Sequence, residues 1–321
     1  MSSNIQGALL ALLAFGLFST HDVIVKTLGG TYSPFQIIFF SVLLSFPLVT
    51  LMLIRDPRPG HLRPVHPWWV ALRVFAAMAT GVSAFYAFSV LPLAQVYAII
   101  FAAPLLITIL AIPILGERVR LRRWVAVIVG LAGVLVVLRP GVTQMGLGHA
   151  AALVAAFGGA LASIIVRKIG KDERNVVLLL YPMLANFLVM GAILPLVYKP
   201  MPMLHLGALA LMSLMAFIAS TLLIMAYKAG EAVIVAPMQY SQILWAALYG
   251  ALFFEEFPDF WTLIGAAIII ASGIYIVVRE GGKRASGTTP VLRSRSRVET
   301  GTVPRIRDFR RLTEEEAPEE D

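Results

Sequence analysis

Polar side chains are rare inside the apolar stretches of this chain, and two groups of them could contact a solute. In one group, Gln239, Tyr240 and Gln242 are followed by Trp245. The spacing of Gln239, Gln242 and Trp245 places these three on one face of a helix. Two amides beside an aromatic ring suit a flat ligand with polar edges, which stacks on the ring and hydrogen-bonds to the amides. Hydrogen bonding between helices is an equally valid use of the same amides.

The second group, His21, Asp22 and Lys26, stands near the end of the first apolar run. A charged side chain near a helix centre costs about 2.5–3.5 kcal/mol on insertion scales. Asp22 and Lys26 lie one helical turn apart, so an ion pair between them would lower that cost. We expect either a structural pair, with Lys26 reaching to the membrane surface, or a gate that contacts substrate charge. His21 could titrate near neutral pH or serve as an interfacial hydrogen-bonding group.

Two further aromatic residues, Tyr86 and Tyr97, are candidates for lining a cavity, although many membrane tyrosines belong to an interfacial belt. Motifs of zinc proteases, serine hydrolases and phosphate-binding loops do not occur in the sequence, and there is no Cys. We therefore expect no enzymatic activity, no catalytic residues, no metal and no cofactor.

The composition shows which elements must position these residues. Of 321 residues, 59% are hydrophobic and 14% are charged, against about 25% charged in a typical soluble domain. This excludes a soluble enzyme, a secreted module and a nucleic-acid binder. The net charge of +8 arises from basic residues that flank apolar runs, which is a signal of membrane topology.

A membrane-spanning helix needs about 20 mostly apolar residues, and the chain contains ten such runs. The predicted spans cover residues 6–25, 33–54, 69–90, 94–115, 123–139, 146–166, 176–198, 206–227, 232–254 and 260–278.

Lys and Arg residues are unevenly distributed between the two sides of such a bundle. If the N-terminus is cytoplasmic, all but three of the 26 Lys and Arg residues lie on the cytoplasmic side. The exceptions are Lys26, Arg139 and Lys199. Because cytoplasmic loops carry an excess of Lys and Arg, we expect both termini in the cytoplasm. The expected location is the inner (plasma) membrane.

The chain contains an internal repeat. Residues 94–98 resemble residues 232–236, and residues 133–139 resemble residues 273–279. Each copy holds five spans, so the second copy enters the membrane from the opposite face. Two inverted halves can present one central site to each side in turn.

We therefore predict an all-α integral membrane protein with ten transmembrane helices in two inverted five-helix repeats. The first repeat covers residues 1–140 and the second residues 146–280. Residues 281–321 combine Gly, Ser and Arg with an acidic end and hold almost no aromatic residues, which predicts a disordered cytoplasmic tail.

With these features the sequence resembles the drug/metabolite transporter superfamily, in particular its EamA type. The resemblance rests on the turn at residues 91–94, on Pro104 in span four, and on the glutamates that close spans four and nine, at 117 and 255–256. It covers about residues 6–280. It implies a secondary transporter of small organic solutes that works by alternating access, with a central cavity formed by spans one, three, four, six, eight and nine.

Residues 21–26 and 86–94 are similar to members described as riboflavin carriers, so riboflavin uptake is the most specific expectation. The resemblance leaves two alternatives open, an S-adenosylmethionine uptake carrier and an exporter of amino acids or other metabolites. A polytopic membrane enzyme is a remote alternative. The expected partners are a small-molecule substrate and the lipid bilayer, with a homodimer left open and no nucleic acid.

Overall fold

The structure is a computed structural model that describes residues 3–54, 63–116, 121–140, 145–170, 172–230 and 232–281. The first half of the chain contains α1 (Ser3–Gly29), α2 (Pro34–Ile54), α3 (Pro67–Val90), α4 (Leu93–Ile100), α5 (Ala103–Leu115) and α6 (Leu121–Leu138). The second half contains α7 (Leu147–Ile169), α8 (Asn175–Val197), α9 (Met203–Ala229), α10 (Ala232–Val235), a 3-10 helix (Ala236–Tyr240), α11 (Ser241–Phe254) and α12 (Phe260–Gly281). Glu117 and the predicted tail after Gly281 lie outside the described residues.

Seven helical stretches in the described part are long and apolar enough to cross a membrane. α2 and α6 contain shorter apolar stretches, at Pro34–Leu48 and Trp124–Leu138. Large apolar side chains such as those of Ile128, Leu188 and Leu244 are exposed, and a lipid environment would cover them. The predicted all-α integral membrane fold is confirmed.

Two of the predicted spans are interrupted within their first halves. In the fourth span, α4 and α5 are separated at Phe101, and Pro104 stands in the first turn of α5. In the ninth span, α10 is followed by the 3-10 helix, where Pro237 again occupies the first turn. A proline has no backbone N–H for the helical ladder, which accounts for both breaks. With each interrupted span counted once, the described helices form two sets of five.

The repeat relates the helix pairs that pack together: each pair either corresponds to another packed pair or joins two equivalent helices. α1 packs on α9, and its counterpart α7 packs on α3. α6 packs on α12 and α2 packs on α8, so each of these pairs joins equivalent helices of the two repeats. This packing is consistent with inverted repeats related by a pseudo-twofold axis.

Glycines mark two helix contacts that the repeat relates. A Cβ atom on Gly7 in α1 would lie 2.7 Å from the Cα atom of Gly230 at the end of α9. A Cβ atom on Gly148 in α7 would lie 2.9 Å from the Cγ atom of Leu91 at the end of α3. Small residues allow such close backbone approach between membrane helices.

The ends of α1 and α7 also correspond in sequence, as DVIVKTLG at 22–29 and SIIVRKIG at 163–170. This alignment places Ser163 at the position of Asp22. The alignment of 94–98 with 232–236 places Val235 at the position of Tyr97. The two repeats therefore differ at the positions of Asp22 and Tyr97, although their segments align.

A stripe of small residues on α7 packs as its spacing suggests. Ala155, Gly159 and Ser163 are all buried. The tightest approach is at the neighbouring Gly158, where a Cβ atom would lie 2.5 Å from the hydroxyl of Thr80 in α3. Gly158, beside the stripe, thus allows the close α3–α7 contact.

Candidate substrate site

A buried polar cluster surrounds Asp22 in α1. Asp22 is 1% exposed, and its Oδ1 atom lies 2.7 Å from Nδ1 of His21. The hydroxyl of Tyr97 donates a hydrogen bond to the other carboxylate oxygen. The side-chain amide of Gln242 donates to the Tyr97 hydroxyl at 3.2 Å, and Ser19 lies 3.5 Å from that hydroxyl. Two predicted groups that are far apart in the sequence thus form one network.

The interrupted helices bring this network together. Tyr97 stands in α4, one turn before the break at Phe101. Gln242 stands at the start of α11, directly after the 3-10 helix. α4 packs against α11, and α11 packs against α1. Helix breaks at equivalent positions of two repeats are the structural signature of a solute site in secondary transporters.

Aromatic rings form one wall of the cluster. The ring of Tyr97 lies 5.4 Å from Phe88 and 5.8 Å from Phe101, between ring centroids. Phe101 in turn meets Tyr240 edge to face at 5.1 Å. Such spacings are those of favourable aromatic pairs. The wall connects the fourth span with the 3-10 helix.

The hydroxyl of Tyr240 is pressed against α12. A Cβ atom at Gly273 would lie 1.8 Å from this oxygen, so only glycine fits there without rearrangement. Tyr240 is 5% exposed. The Gln239 amide is near the Tyr240 hydroxyl. Within the described residues, however, this hydroxyl forms no hydrogen bond.

A second aromatic pair borders α1. The rings of Trp245 and Tyr249 are stacked, with centroids 5.9 Å apart and an interplanar angle of 28°. The Tyr249 hydroxyl lies 3.0 Å from the Thr20 hydroxyl. A Cβ atom at Gly16 would lie 3.3 Å from the Trp245 ring, so the indole lies close against α1. Both rings are partly exposed.

The predicted ion pair between Asp22 and Lys26 is wrong. Lys26 Nζ lies 2.9 Å from Glu256 Oε1 and donates a 2.6 Å hydrogen bond to the carbonyl of Leu91. It also lies 5.1 Å from the centroid of the Phe254 ring. The reason is that the carbonyl at the end of α3 lacks a helical partner, and it lies beside a carboxylate that follows α11. We call Lys26, Glu256 and the Leu91 carbonyl the latch.

Two predicted site residues have less defined surroundings. Gln239 lies in the 3-10 helix and is half-buried. Tyr86 is half-buried on α3. Phe85 and Phe88 point from that helix toward His21 and Tyr97. Successive residues turn by about 100° on a helix, so Tyr86 lies on another side of α3. Their contact with substrate stays a prediction.

Sequence reasoning missed the aromatic residues Phe88 and Phe101, the glycine Gly273 and the role of Glu256. Phe101 stands three residues before Pro104, so the proline was an available signal for it. Within the described residues, no three His, Asp or Glu side chains come close enough to hold a metal ion. The cluster offers a carboxylate, an amide, hydroxyls and ring faces, which together can bind a cationic group and a flat ring.

Comparison with known proteins identifies the family. The profile of the EamA-like transporter family matches the chain twice, over residues 5–139 and 146–279. An S-adenosylmethionine uptake transporter of Rickettsia bellii is 28% identical over 269 residues, which cover 84% of this chain and 92% of that protein.

Two further relatives carry other printed functions. The pseudopaline exporter CntI of Pseudomonas aeruginosa is 26% identical over 274 residues, covering 84% of this chain and 95% of its own. A riboflavin transporter of Rhizobium johnstonii is 26% identical over 283 residues, covering 87% and 93%.

The fold is also known from experiment. A solved crystal structure aligns with 88% of this chain and 99% of its own chain, with a TM-score of 0.58 and 19% identity. The chain therefore belongs to the EamA-like transporter family of the drug/metabolite transporter superfamily, as a multi-pass membrane protein that transports small metabolites and is not an enzyme.

Proposed function

We propose that this transporter carries a small organic metabolite that combines a flat ring with a positively charged group, and that S-adenosylmethionine is the first substrate to test. The observation that carries this proposal is the buried carboxylate of Asp22, located where α1 meets the two interrupted spans.

A buried carboxylate is expensive inside a membrane and is kept there for function. The Tyr97 hydroxyl donates to Asp22, and the Gln242 amide supports Tyr97. These donors stabilise the ionised form of the carboxylate and hold it in position. A sulfonium or ammonium group of a substrate would find a fixed negative charge there.

The rings near Asp22 suit the second part of such a substrate. The stacked pair of Trp245 and Tyr249 lies against the same helix that carries Asp22. Gln239 and Gln242 can each donate and accept, as recognition of the edge of a nucleobase requires. One side of the site would then bind charge and the other would bind a ring.

Riboflavin is the second candidate, and its uptake was the sequence-based expectation. Its flat ring and polar edges fit the same aromatic and amide groups, and a relative bears the name riboflavin transporter. It has no positive group for Asp22, so the carboxylate would contribute less. Export is also compatible with the family, since one relative is a pseudopaline exporter.

In our proposal the latch closes one end of the bundle. Lys26 then belongs to the gate, whereas His21 and Asp22 belong to the substrate site. It joins the end of α1 to the end of α3 and to the segment after α11. α1 packs on α3, whereas the repeat-equivalent helices α7 and α9 share no comparable interface among the described residues. This difference between the repeats is what an alternating-access state requires.

We assign the latched end to the outside of the inner membrane, with both termini in the cytoplasm. This orientation would put Lys26, Arg139 and Lys199 on the outer side. Each of these cations has an acceptor: Glu256, Asp259 at 2.6 Å and the Thr31 carbonyl at 2.9 Å, respectively. These pairings reduce the cost of placing basic residues on the outer side, where the positive-inside rule disfavours them.

Purified protein in liposomes tests the substrate. Liposomes preloaded with unlabelled S-adenosylmethionine should take up the labelled compound by exchange, and Asp22→Asn should lower the rate at least about tenfold, as expected for loss of a charge-assisted contact. Asp172→Asn changes an exposed aspartate at the other end of the bundle, and its rate should stay unchanged. Exchange of riboflavin but not of S-adenosylmethionine would overturn the charge argument.

A further inference from the structure

We propose that the His21–Asp22 pair is a proton-binding site and that the transporter exchanges one proton for one positive charge of substrate at this pair. The inference rests on the proposed function in one respect, namely that Asp22 meets the substrate's charge. It adds the coupling ion and the site at which that ion binds.

The pair has an unusual geometry. Neighbouring residues on a helix point in directions about 100° apart and do not normally face each other. Here the rings and oxygens turn toward one another until His21 Nδ1 and Asp22 Oδ1 are 2.7 Å apart. His21 is 4% exposed and Asp22 is 1% exposed. An ionised carboxylate only accepts hydrogen bonds, so Nδ1 must carry the proton of this bond.

The charge of the pair depends on a second proton, on the other ring nitrogen. With it, an imidazolium faces a carboxylate and the pair is neutral. Without it, the pair carries one negative charge. A buried site surrounded by lipid-spanning helices favours the neutral combination when no substrate is bound. A bound cation reverses this preference, because it neutralises Asp22 itself.

The surrounding helices contribute few other groups that could take this role. Tyr97 faces the pair from α4 and Tyr249 approaches Thr20 from α11. Tyr240 lies behind Phe101 in the 3-10 helix. α3 presents Phe85 to the His21 ring.

The remaining neighbours of α1 are apolar or distant at this level. α9 meets α1 through alanines and a leucine, at Ala216, Ala219 and Leu223. α2 and α10 contain no titratable residue in their sequences. Lys26, on α1 itself, is held in the latch by Glu256. Within the described residues, His21 is thus the titratable group in direct contact with Asp22 whose ordinary range is near neutral pH.

The exchange follows from this arrangement. A cation that binds Asp22 from one side neutralises the carboxylate. The carboxylate then no longer stabilises the imidazolium of His21, and the proton leaves His21 to that side. When the substrate leaves on the other side, His21 takes up a proton from that side. The site stays neutral in both crossing forms, so one proton moves against each positive charge of substrate.

Flux in liposomes tests the coupling. With an acidic lumen and an alkaline exterior, labelled S-adenosylmethionine should accumulate about tenfold per pH unit, because a tenfold ratio corresponds to one pH unit in a one-to-one exchange. Asp22→Asn should lower exchange at least about tenfold, as above, and should abolish accumulation driven by the gradient. In His21→Gln, labelled S-adenosylmethionine should accumulate no further under the pH gradient than it does at equal pH, whatever the rate of exchange at equal pH. Gradient-driven accumulation by His21→Gln equal to that of the unchanged protein would overturn the proposal.

A measurement without substrate separates this proposal from the substrate assignment. Proton uptake by the purified protein, titrated in detergent, should decrease by one proton in His21→Gln. The carboxylate infrared band of Asp22 should shift as His21 titrates, whereas in Asp22→Asn that shift should be absent. If no band shifts between about pH 5 and pH 9, the pair binds no exchangeable proton and the proposal fails, whatever the substrate is.

Discussion

Lys26 and Glu256 connect the end of α1 with the segment after α11 through a 2.9 Å ion pair, in which the lysine is buried and the glutamate side chain is partly exposed. The Leu91 carbonyl holds the same ammonium group at 2.6 Å. One cation thus joins three separate parts of the chain. Because the Glu256 side chain lies partly at the surface, a small opening of this end would let water reach both charges, so the separated pair would not remain as uncompensated buried charges.

Removal of the latch should make the latched end open more often. The chain has no native Cys, so a single Ala94→Cys provides a reporter at a buried position close to Leu91. Lys26→Met should increase its labelling rate by an impermeant maleimide about fivefold, since a partly exposed pair contributes about 1 kcal/mol. Lys199→Met, which removes an exposed outer lysine, should not change the rate. Equal labelling in Lys26→Met and its parent would show that the latch does not restrain opening.

The two amides of the candidate site should differ in their importance. Gln242 is buried and bonded to Tyr97, whereas Gln239 is half-buried in the 3-10 helix. Gln242→Leu should lower the exchange rate of labelled S-adenosylmethionine about tenfold, because it leaves the Tyr97 hydroxyl without its donor. Gln239→Leu should have a smaller effect. The reverse order would place the substrate edge at Gln239.

The contact between Tyr240 and Gly273 should tolerate no added methyl group. Gly273→Ala puts a Cβ atom 1.8 Å from the tyrosine hydroxyl, and overpacking of this kind costs about 1–3 kcal/mol. We expect a lower midpoint of thermal unfolding in detergent and partial recovery when Tyr240→Phe is added. Gly207→Ala, on α9 with open space around its Cα, is the matched control. A midpoint unchanged by Gly273→Ala would mean that α12 moves freely relative to the 3-10 helix.

Two helix ends have a left-handed backbone, one at a glycine and one at a glutamate, so replacing each residue should change the free energy of unfolding in opposite directions. Gly116 ends α5 with φ 69°, and Glu255 ends α11 with φ 54°. Left-handed backbone costs a non-glycine residue about 1 kcal/mol. Gly116→Ala should therefore lower the free energy of unfolding by about that amount, although no atom obstructs its Cβ. Glu255→Gly should raise it, and thermal unfolding of both variants would reveal the sign.

The proposed orientation can be measured with single cysteines in the same Cys-free chain. Pro200→Cys follows α8, and Asp172→Cys precedes it, at opposite ends of that helix. In intact cells an impermeant maleimide should label Pro200→Cys and should reach Asp172→Cys only after the membrane is permeabilised. The opposite result would place both termini outside.

Apolar run length and the internal repeat were enough to predict the number of spans and the all-helical class. The family was indicated by a resemblance in the turn at residues 91–94, in Pro104 and in the glutamates that close spans four and nine. The breaks in spans four and nine coincide with Pro104 and Pro237, which have no backbone donor for the helical ladder. Contacts between distant residues were not predictable in this way. Helical spacing suggests that Asp22 faces Lys26, but it contains no information about a carboxylate such as Glu256 that approaches from the other half of the chain.

The candidate site illustrates the same limit. The residue types at Gln242 and Tyr97 suggested polar and aromatic contacts, whereas their mutual hydrogen bond depends on how two interrupted helices pack beside α1. The 3-10 helix also changes the rotation between Gln239 and Gln242, since each residue turns by about 120° there and about 100° in an α-helix. Helical spacing across such a break therefore does not show which residues share one face of the helix.

The two repeats share their packing but not their polar groups, because Ser163 stands at the position of Asp22 and Val235 at that of Tyr97. Each half can therefore change for a different purpose. On the proposed function, substitutions in α1 and α4 would alter which compound is accepted, while the close glycine contacts common to both halves would stay the same. A transporter with two such halves can acquire a new substrate through changes in one half alone.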